Sequence, residues 1–229
     1  LTIKADNALK ESDVIIGYTV YAELVKKYYP DKTFIVTPMK QEMQRCRIAY
    51  EQAAMGKKTA MVCSGDAGVY GMAGIMYELN KDYTNVELEI IPGVTAALSG
   101  SSVLGVPLSH DFAVISLSDL LTPWELIAKR IECAAMSDMC MSIYNPSSKK
   151  RHDYLHRACE IILKYKNEDT VCGYVKNIGR EGELYEIMTL KKLKTTQADM
   201  FTTVFIGNKD TKVINGKMVT PRGYKNISL

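Results

Sequence analysis

No stretch of this sequence approaches the roughly 18 uncharged apolar residues that a membrane-crossing helix requires. The opening, LTIKADNALKESD, has no apolar secretory core and reads as a helix. No CxxC pair occurs among the six cysteines, which lie at 46, 63, 133, 140, 159 and 172. Several sit inside apolar runs (MVCSG, SDMCMSIY, TVCGY), where free cysteine behaves as a small hydrophobe. A disulfide framework is therefore not expected, and a reduced, cytoplasmic setting is. Charge of one sign is also scarce: the net charge is +3 over 229 residues. So weak a bias argues against nucleic acid as a partner. His152 and His156 are four apart on an expected helix, but no third ligand type lies near them, and no bound metal is expected.

What is present is alternation. DVIIGY (13–18) and TFIVTP (33–38) read as strands flanking a helical YAELVKKYY. MKQEMQRCRIAYEQAAMGKK has helical spacing and stops at Gly56, a natural C-terminal cap. TAMVCSG (59–65) has the continuous apolar character of a strand buried on both faces. A short glycine-rich helix, a strand VELEIIPG (86–93) and an Ala/Ser-rich helix from Thr95 to Leu104 follow. After GVPLSHD a second half begins with a strand in FAVISLSD. Then comes a helix TPWELIAKRIECAA with Thr122 as N-cap, Pro123 at its first position and Glu125 completing a capping box. MCMSIYNP (139–146), TVCGYVKN and FTTVFIGN read as strands, a helix runs from about Arg151 to Tyr165, and VINGKMV reads as an Asn-Gly hairpin. The expected fold class is α/β: two packed α/β domains, 1–111 and 112–229, with no low-complexity linker between them.

The segment SGDAGVYGMAG places glycines at 65, 68, 71 and 74 directly after an apolar strand. The spacing is not the G-x-G-x-x-G of a dinucleotide fold, and no G-K-S/T follows for a phosphate loop. Asp66 opposes an anion there and suits a hydroxyl, an amine or a cationic centre instead. A tight helix-packing run of small residues is the structural alternative. Four further turns, in IIPGVTAAL, SIYNPSS, YVKNIGREGE and MFTTVFIGN, put Pro, Gly, Thr or Asn at or beyond predicted strand ends. That is the edge where α/β sheets bind ligands.

The ordered set GDAGVYG, IPGVTAA, YNPSS and the Thr-Thr of MFTTVFIGN resembles the tetrapyrrole methylase family, through essentially the whole chain. The resemblance implies methyl transfer from S-adenosylmethionine to a corrin- or porphyrin-type macrocycle, in a cleft between two domains of a homodimeric enzyme. GVPLSHDFAVISLSDLLTPWE, QRCRIAYEQAAMGK and YNPSSKKR resemble the branch that methylates C17 and contracts the ring during cobalamin synthesis. That branch acts on precorrin-3B or on its cobalt-bearing counterpart, cobalt-factor III or cobalt-precorrin-3. The family's usual opening, a glycine- and proline-rich strand-loop just before the Leu1-Thr2 equivalent, is not in this sequence, and truncation is the expected reason. Another methylase of the same fold, acting on a different corrin, on ribosomal RNA or on a modified histidine, is one open alternative. A non-catalytic tetrapyrrole carrier is the other.

Residue by residue, the resemblance implies that Gly65, Asp66, Val69 and Tyr70 line the methionine side of the donor, with Thr95 and Ala96 beside them. Tyr144, Asn145, Val175, Lys176 and Asn177 approach from the second domain, and Thr202 and Thr203 hold the adenine or ribose edge through backbone groups. Asp66 offers an acceptor to the cationic donor. The macrocycle supplies its own carbon nucleophile, so alignment in a dry cleft is the protein's main task, and no Ser/His/Asp triad is expected. Ring contraction moves protons, and the acid/base candidates are His110, Asp111, Ser118 and Asp119; His110 equally fits a capping or inter-domain hydrogen-bonding role. Arg45, Lys149, Lys150 and Arg151 are candidates to pair the substrate's carboxylates, although clustered lysines also fit a solvated surface.

Overall fold

The structure is a computed structural model and describes residues 1–148 and 151–224. The fold divides into two compact units, Leu1–Thr95 and Ala96–Leu229. The first holds a three-stranded parallel sheet ordered β2-β1-β3, from β1 (Val14–Tyr18), β2 (Thr33–Thr37) and β3 (Thr59–Val62). Helices α1 (Ile3–Glu11), α2 (Thr19–Lys26), α3 (Glu42–Ala54) and α4 (Ala73–Asn80) surround it. VIIGY is the middle strand because both its faces find apolar partners. Val14 and Ile16 pack with Cys46, Ala49, Tyr50, Met76 and Leu79, whereas Ile15 points to the opposite face with Leu9 and Tyr29. Tyr50 is buried, stacked on Tyr83 at 4.6 Å, and its hydroxyl donates to the Met76 carbonyl at 2.7 Å, so its polar end is satisfied. The end of α3 is as the sequence predicts. Gly56 adopts φ +82°, its N–H reaches the Ala53 carbonyl and that of Lys57 reaches Gln52, a Schellman closure.

Two expectations for this unit fail. All four residues of β3 are half-buried, because β3 stands at the sheet's edge rather than in its middle. VELEIIPG is not a strand: residues 86–93 take no place in a sheet. A cavity of about 580 Å³ lies among α1, β3 and this segment, lined by Leu9, Thr59, Met61, Leu88, Ile90 and Pro92 among others.

The second unit contains α5 (Ala96–Leu104), β4 (Gly105–Val106), β5 (Phe112–Ser116), α6 (Trp124–Met136), β6 (Cys140–Tyr144) and α7 (Tyr154–Ile162). After these come β7 (Val171–Lys176), β8 (Leu184–Thr189), α8 (Leu190–Leu193), β9 (Thr202–Ile206), β10 (Lys212–Ile214) and β11 (Lys217–Val219). The main sheet is ordered β5-β6-β9-β7-β8, and β5–β6 is its one parallel pairing among the described residues. All five residues of the central β9 are buried, and each large apolar side chain contributes about 1.5–3 kcal/mol on burial. The Asn-Gly hairpin forms between β10 and β11 with positive φ at both Asn215 and Gly216, and β11 pairs with β4 in a small second sheet.

The division after Thr95 falls earlier than the 111/112 boundary expected from sequence. The reason is α5, which packs on the main sheet of the second unit: a Cβ at Gly100 would lie 2.8 Å from the Phe205 ring, and Leu104 shares a core with Val175 and Phe205. The capping box at 122–125 does not form. Pro123, with ψ 145°, takes the N-cap position itself and no side chain caps the helix. Helix α7 begins at Tyr154, so His152 precedes it and the two histidines share no helical face.

Candidate functional site

In the first unit the glycine segment leaves β3 and folds back on itself before α4. Asp66 organises it. Its Oδ1 accepts from the Gly68 and Val69 amides at 2.8 and 3.1 Å, and its Oδ2 accepts from the Gly93 amide at 2.8 Å. These bonds, Gly93 first, hold the carboxyl below its usual range against the opposing effect of partial burial. A Cβ on residue 93 would lie 2.0 Å from the Gly65 carbonyl oxygen, so only glycine lets the two turns meet. Both Asp66 oxygens are engaged by backbone amides, so the carboxylate secures the loop; Oδ2, with one such bond, keeps acceptor capacity beside it. Tyr70 sits at φ 55° and is 57% exposed. A left-handed aromatic is strained, and such residues cluster at binding sites.

In the second unit the antiparallel register gathers one end of the sheet. β9 starts where β6 and β7 end: Val204 pairs with Ile143, Thr203 with Val175 and Thr202 with Lys176. Tyr144, Asn145, Val175, Lys176, Asn177, Thr202 and Thr203 therefore share one rim. Asn145 and Asn177 both have positive φ, 50° and 53°, which turns the chain sharply off each strand. The Asn145 amide donates to Ser116 Oγ at 3.0 Å, and the Tyr144 hydroxyl accepts from the Ala97 amide at 2.6 Å, fixing the start of α5 to this rim. Lys176 is paired with Asp199 at 2.7 Å, and Asp199 also accepts from Thr202 Oγ1 at 2.9 Å. Burial raises the Asp199 carboxyl, but these bonds outweigh it and hold it low. Val175, Thr202 and Thr203 are buried as whole residues, and Val175 is paired on both sides within the sheet.

The four acid/base candidates do not assemble. Ser118 and Asp119 lie just past the C-terminal end of β5, at the rim, whereas His110 and Asp111 lie before its N-terminal end. Five strand residues separate them by about 16 Å. His110 and Asp111 are exposed, and the His110 Nδ1 accepts from the Asp111 amide at 2.9 Å. Asp119 is in a network instead: it accepts from the Tyr154 hydroxyl at 2.6 Å and from Arg151 Nη1 at 3.2 Å, and Arg151 also bonds Ser118 Oγ at 2.8 Å. The Tyr154 bond, with Arg151, keeps Asp119 ionised well into acid, and the same bond raises Tyr154. Sequence reading missed Tyr154 and the stack behind it, Arg157 over Trp124 at 4.0 Å, because nothing local distinguishes them from an ordinary amphipathic helix. Arg45 is buried in the first unit, away from solvent. Lys149 and Lys150 lie outside the described residues.

The family model for Tetrapyrrole (Corrin/Porphyrin) Methylases matches residues 1–194, and the chain belongs to that family. It is 44% identical over 98% of its length to a protein named "Probable cobalt-factor III C(17)-methyltransferase" from Salmonella typhimurium, covering 93% of that protein. It is 46% identical, again over 98% of its length, to "Cobalt-factor III methyltransferase" from Priestia megaterium, of which it spans 43%. Among solved structures, that of the methyltransferase CobJ matches with a TM-score of 0.88 at 32% identity, covering 96% of this chain and 93% of that one. Among the described residues no helix is long and apolar enough to cross a membrane.

Proposed function

We propose that this chain is an S-adenosylmethionine-dependent C-methyltransferase that methylates C17 of cobalt-factor III, or of its metal-free counterpart precorrin-3B, with ring contraction in cobalamin biosynthesis. The observation that carries the reading is its 44% identity over nearly its full length to a protein of that name, with a structure whose turns gather at the rim the chemistry needs. The residues fit an adenosyl group. Thr202 and Thr203 are small, nearly buried residues at the rim that leave room for a flat purine, and the glycine loop offers backbone and the exposed Tyr70. From the first unit, Gly65, Val69, Tyr70 and Thr95 are the proposed donor contacts, with Asp66 holding the loop's shape. From the second, they are Ala96, Tyr144, Asn145, Val175, Lys176, Asn177, Thr202 and Thr203.

The donor supplies an activated methyl group and the macrocycle a carbon nucleophile, so the chain's own residues orient, exclude water and hold charge. Arg151, fixed by Ser118 and Asp119, is placed to meet a substrate carboxylate. Asp119 is the acid/base candidate this rim keeps for ring contraction, ionised but made a weaker base by its bonds to Tyr154 and Arg151. Six free thiols fit a reducing cytoplasm, and a homodimer is the assembly proposed from the family. The test is incubation of the pure protein with S-adenosylmethionine and either cobalt-factor III or precorrin-3B, with mass analysis of the product. A gain of one methyl is expected on one of them, and no gain on either would remove the assignment.

A further inference from the structure

We propose that Arg45 is a positioning residue for the glycine loop, acting through Met72 and not on the carboxylates of the macrocycle. The proposal rests on the reading of loop 65–70 as the donor contact. Arg45 projects from α3 and is only 3% exposed. Its partners are all neutral. Nε donates to Thr37 Oγ1 at 2.8 Å, Nη2 to the Pro38 carbonyl at 3.0 Å and Nη1 to the Met72 sulfur at 3.2 Å, while the Tyr18 ring lies 5.9 Å from the guanidinium carbon. A buried cation with no carboxylate beside it is expensive, and an apolar side chain would fill the space at less cost. What the guanidinium supplies and an apolar residue cannot is a planar fork. One arm grips the C-terminal end of β2 and the turn after it, and the other grips Met72, where the loop enters α4.

The loop thus has two independent fastenings: Asp66 ties its middle to Gly93, and Arg45 with Met72 ties its exit to the sheet. With both fastenings in place, Tyr70 is held in its left-handed conformation two residues before Met72.

The experiment is calorimetric titration of S-adenosylhomocysteine into the native protein and the variants Arg45→Lys and Met72→Leu, with steady-state KM for the macrocycle measured at saturating donor. Lysine keeps the charge and loses the fork; leucine keeps the volume and loses the sulfur acceptor. We expect donor affinity to fall about five- to tenfold in Arg45→Lys and in the same direction in Met72→Leu, with macrocycle KM within about twofold of native. Unchanged donor affinity in both variants overturns the proposal, even where thermal stability drops. So does a raised macrocycle KM with intact donor affinity, which would return Arg45 to carboxylate pairing. If Arg45→Lys does not fold, the Met72→Leu titration decides. A native protein that binds no S-adenosylhomocysteine defeats the donor reading itself, and the proposal with it.

Discussion

Replacing Gly93 by alanine tests the close approach on which the first unit's site depends. The added Cβ would stand 2.0 Å from the Gly65 carbonyl oxygen, 3.0 Å from its carbonyl carbon and 3.1 Å from Asp66 Cα, against the 3.4 Å of an ordinary contact. All three are backbone atoms, so no side chain can rotate away, and the two turns must part by more than an ångström. That opening breaks the bond from the Gly93 amide to Asp66 Oδ2, now 2.8 Å long. A charge-assisted bond is worth about 1.5–3 kcal/mol, and solvent access to this site places the loss toward the lower figure. Residual crowding adds about 1–3 kcal/mol. We expect a cost of about 3 kcal/mol, seen as a fall of roughly 6–12 °C in the melting of the whole chain, since about 2–4 °C accompanies each kcal/mol in chains of this size. Binding of S-adenosylhomocysteine, followed by calorimetry, should fall with it. Gly74→Ala is the control: no atom lies within 4 Å of its added Cβ, and a helical alanine should leave stability unchanged or raise it by up to about 1 kcal/mol. A Gly93→Ala protein that melts and binds like the native one would refute the reasoning.

Three further outcomes follow from the geometry. His110→Ala should leave kcat/KM within about twofold of native, whereas Tyr154→Phe, which strips Asp119 of its shortest bond, should lower it about tenfold; the reverse order would restore His110 to the chemistry. The folded Asp66 carboxyl titrates below its ordinary 3.8, so the unfolded chain takes the proton first, and the stability it contributes is present above 3.8 and drains away at lower pH. Urea denaturation at stepped pH should accordingly show the gap between native and Asp66→Asn narrowing on acidification below that value, and a constant gap would contradict the account. Burial pushes the thiols of Cys46 and Cys159 up to about 11 and about 12 and raises Cys63 and Cys172 as well, while Cys133 is exposed; a thiol reagent at mildly alkaline pH should therefore titrate Cys133 rapidly and all six only after unfolding.

Much of the fold was legible because its signals are local. VIIGY and TFIVT carry strand character in their own residues, Gly56 terminates α3 through its own backbone, and Asn215-Gly216 makes a hairpin wherever it occurs. What failed depended on distant partners. TAMV has the apolar composition of a central strand, yet its place in the sheet is set by which strands flank it, and here it is an edge. VELEIIPG has strand composition and takes no place in a sheet. Helix α5 was assigned to the wrong half because small residues such as Gly100 say that something packs closely, not what; the Phe205 ring that fills the place lies in the last strand of the main sheet.

The site divides along the same line. Its turns were legible because glycine, proline, asparagine and threonine at strand ends are conformational choices that a sequence displays directly, and Asn145 and Asn177 do bend left-handed where the motifs place them. Roles were less legible, because a role depends on what a side chain meets. Asp66 suits a cation by its charge, but three amides reach it from its own loop and from Gly93. Arg45 suits a carboxylate by its chemistry, but α3 turns it inward. The acid/base group shows the physical reason most plainly. SHD and SLSD are neighbours in the chain, and in a helix a separation of this kind would bring side chains within about 12 Å along the axis. The strand between them, fully extended, carries them to opposite ends of the sheet, and the rim where Tyr144, Thr202 and Asn177 gather keeps only Ser118 and Asp119. Groups that meet at this rim are drawn from different elements: Asp119, after β5, meets Arg151, just before α7, and Tyr154 at the start of α7.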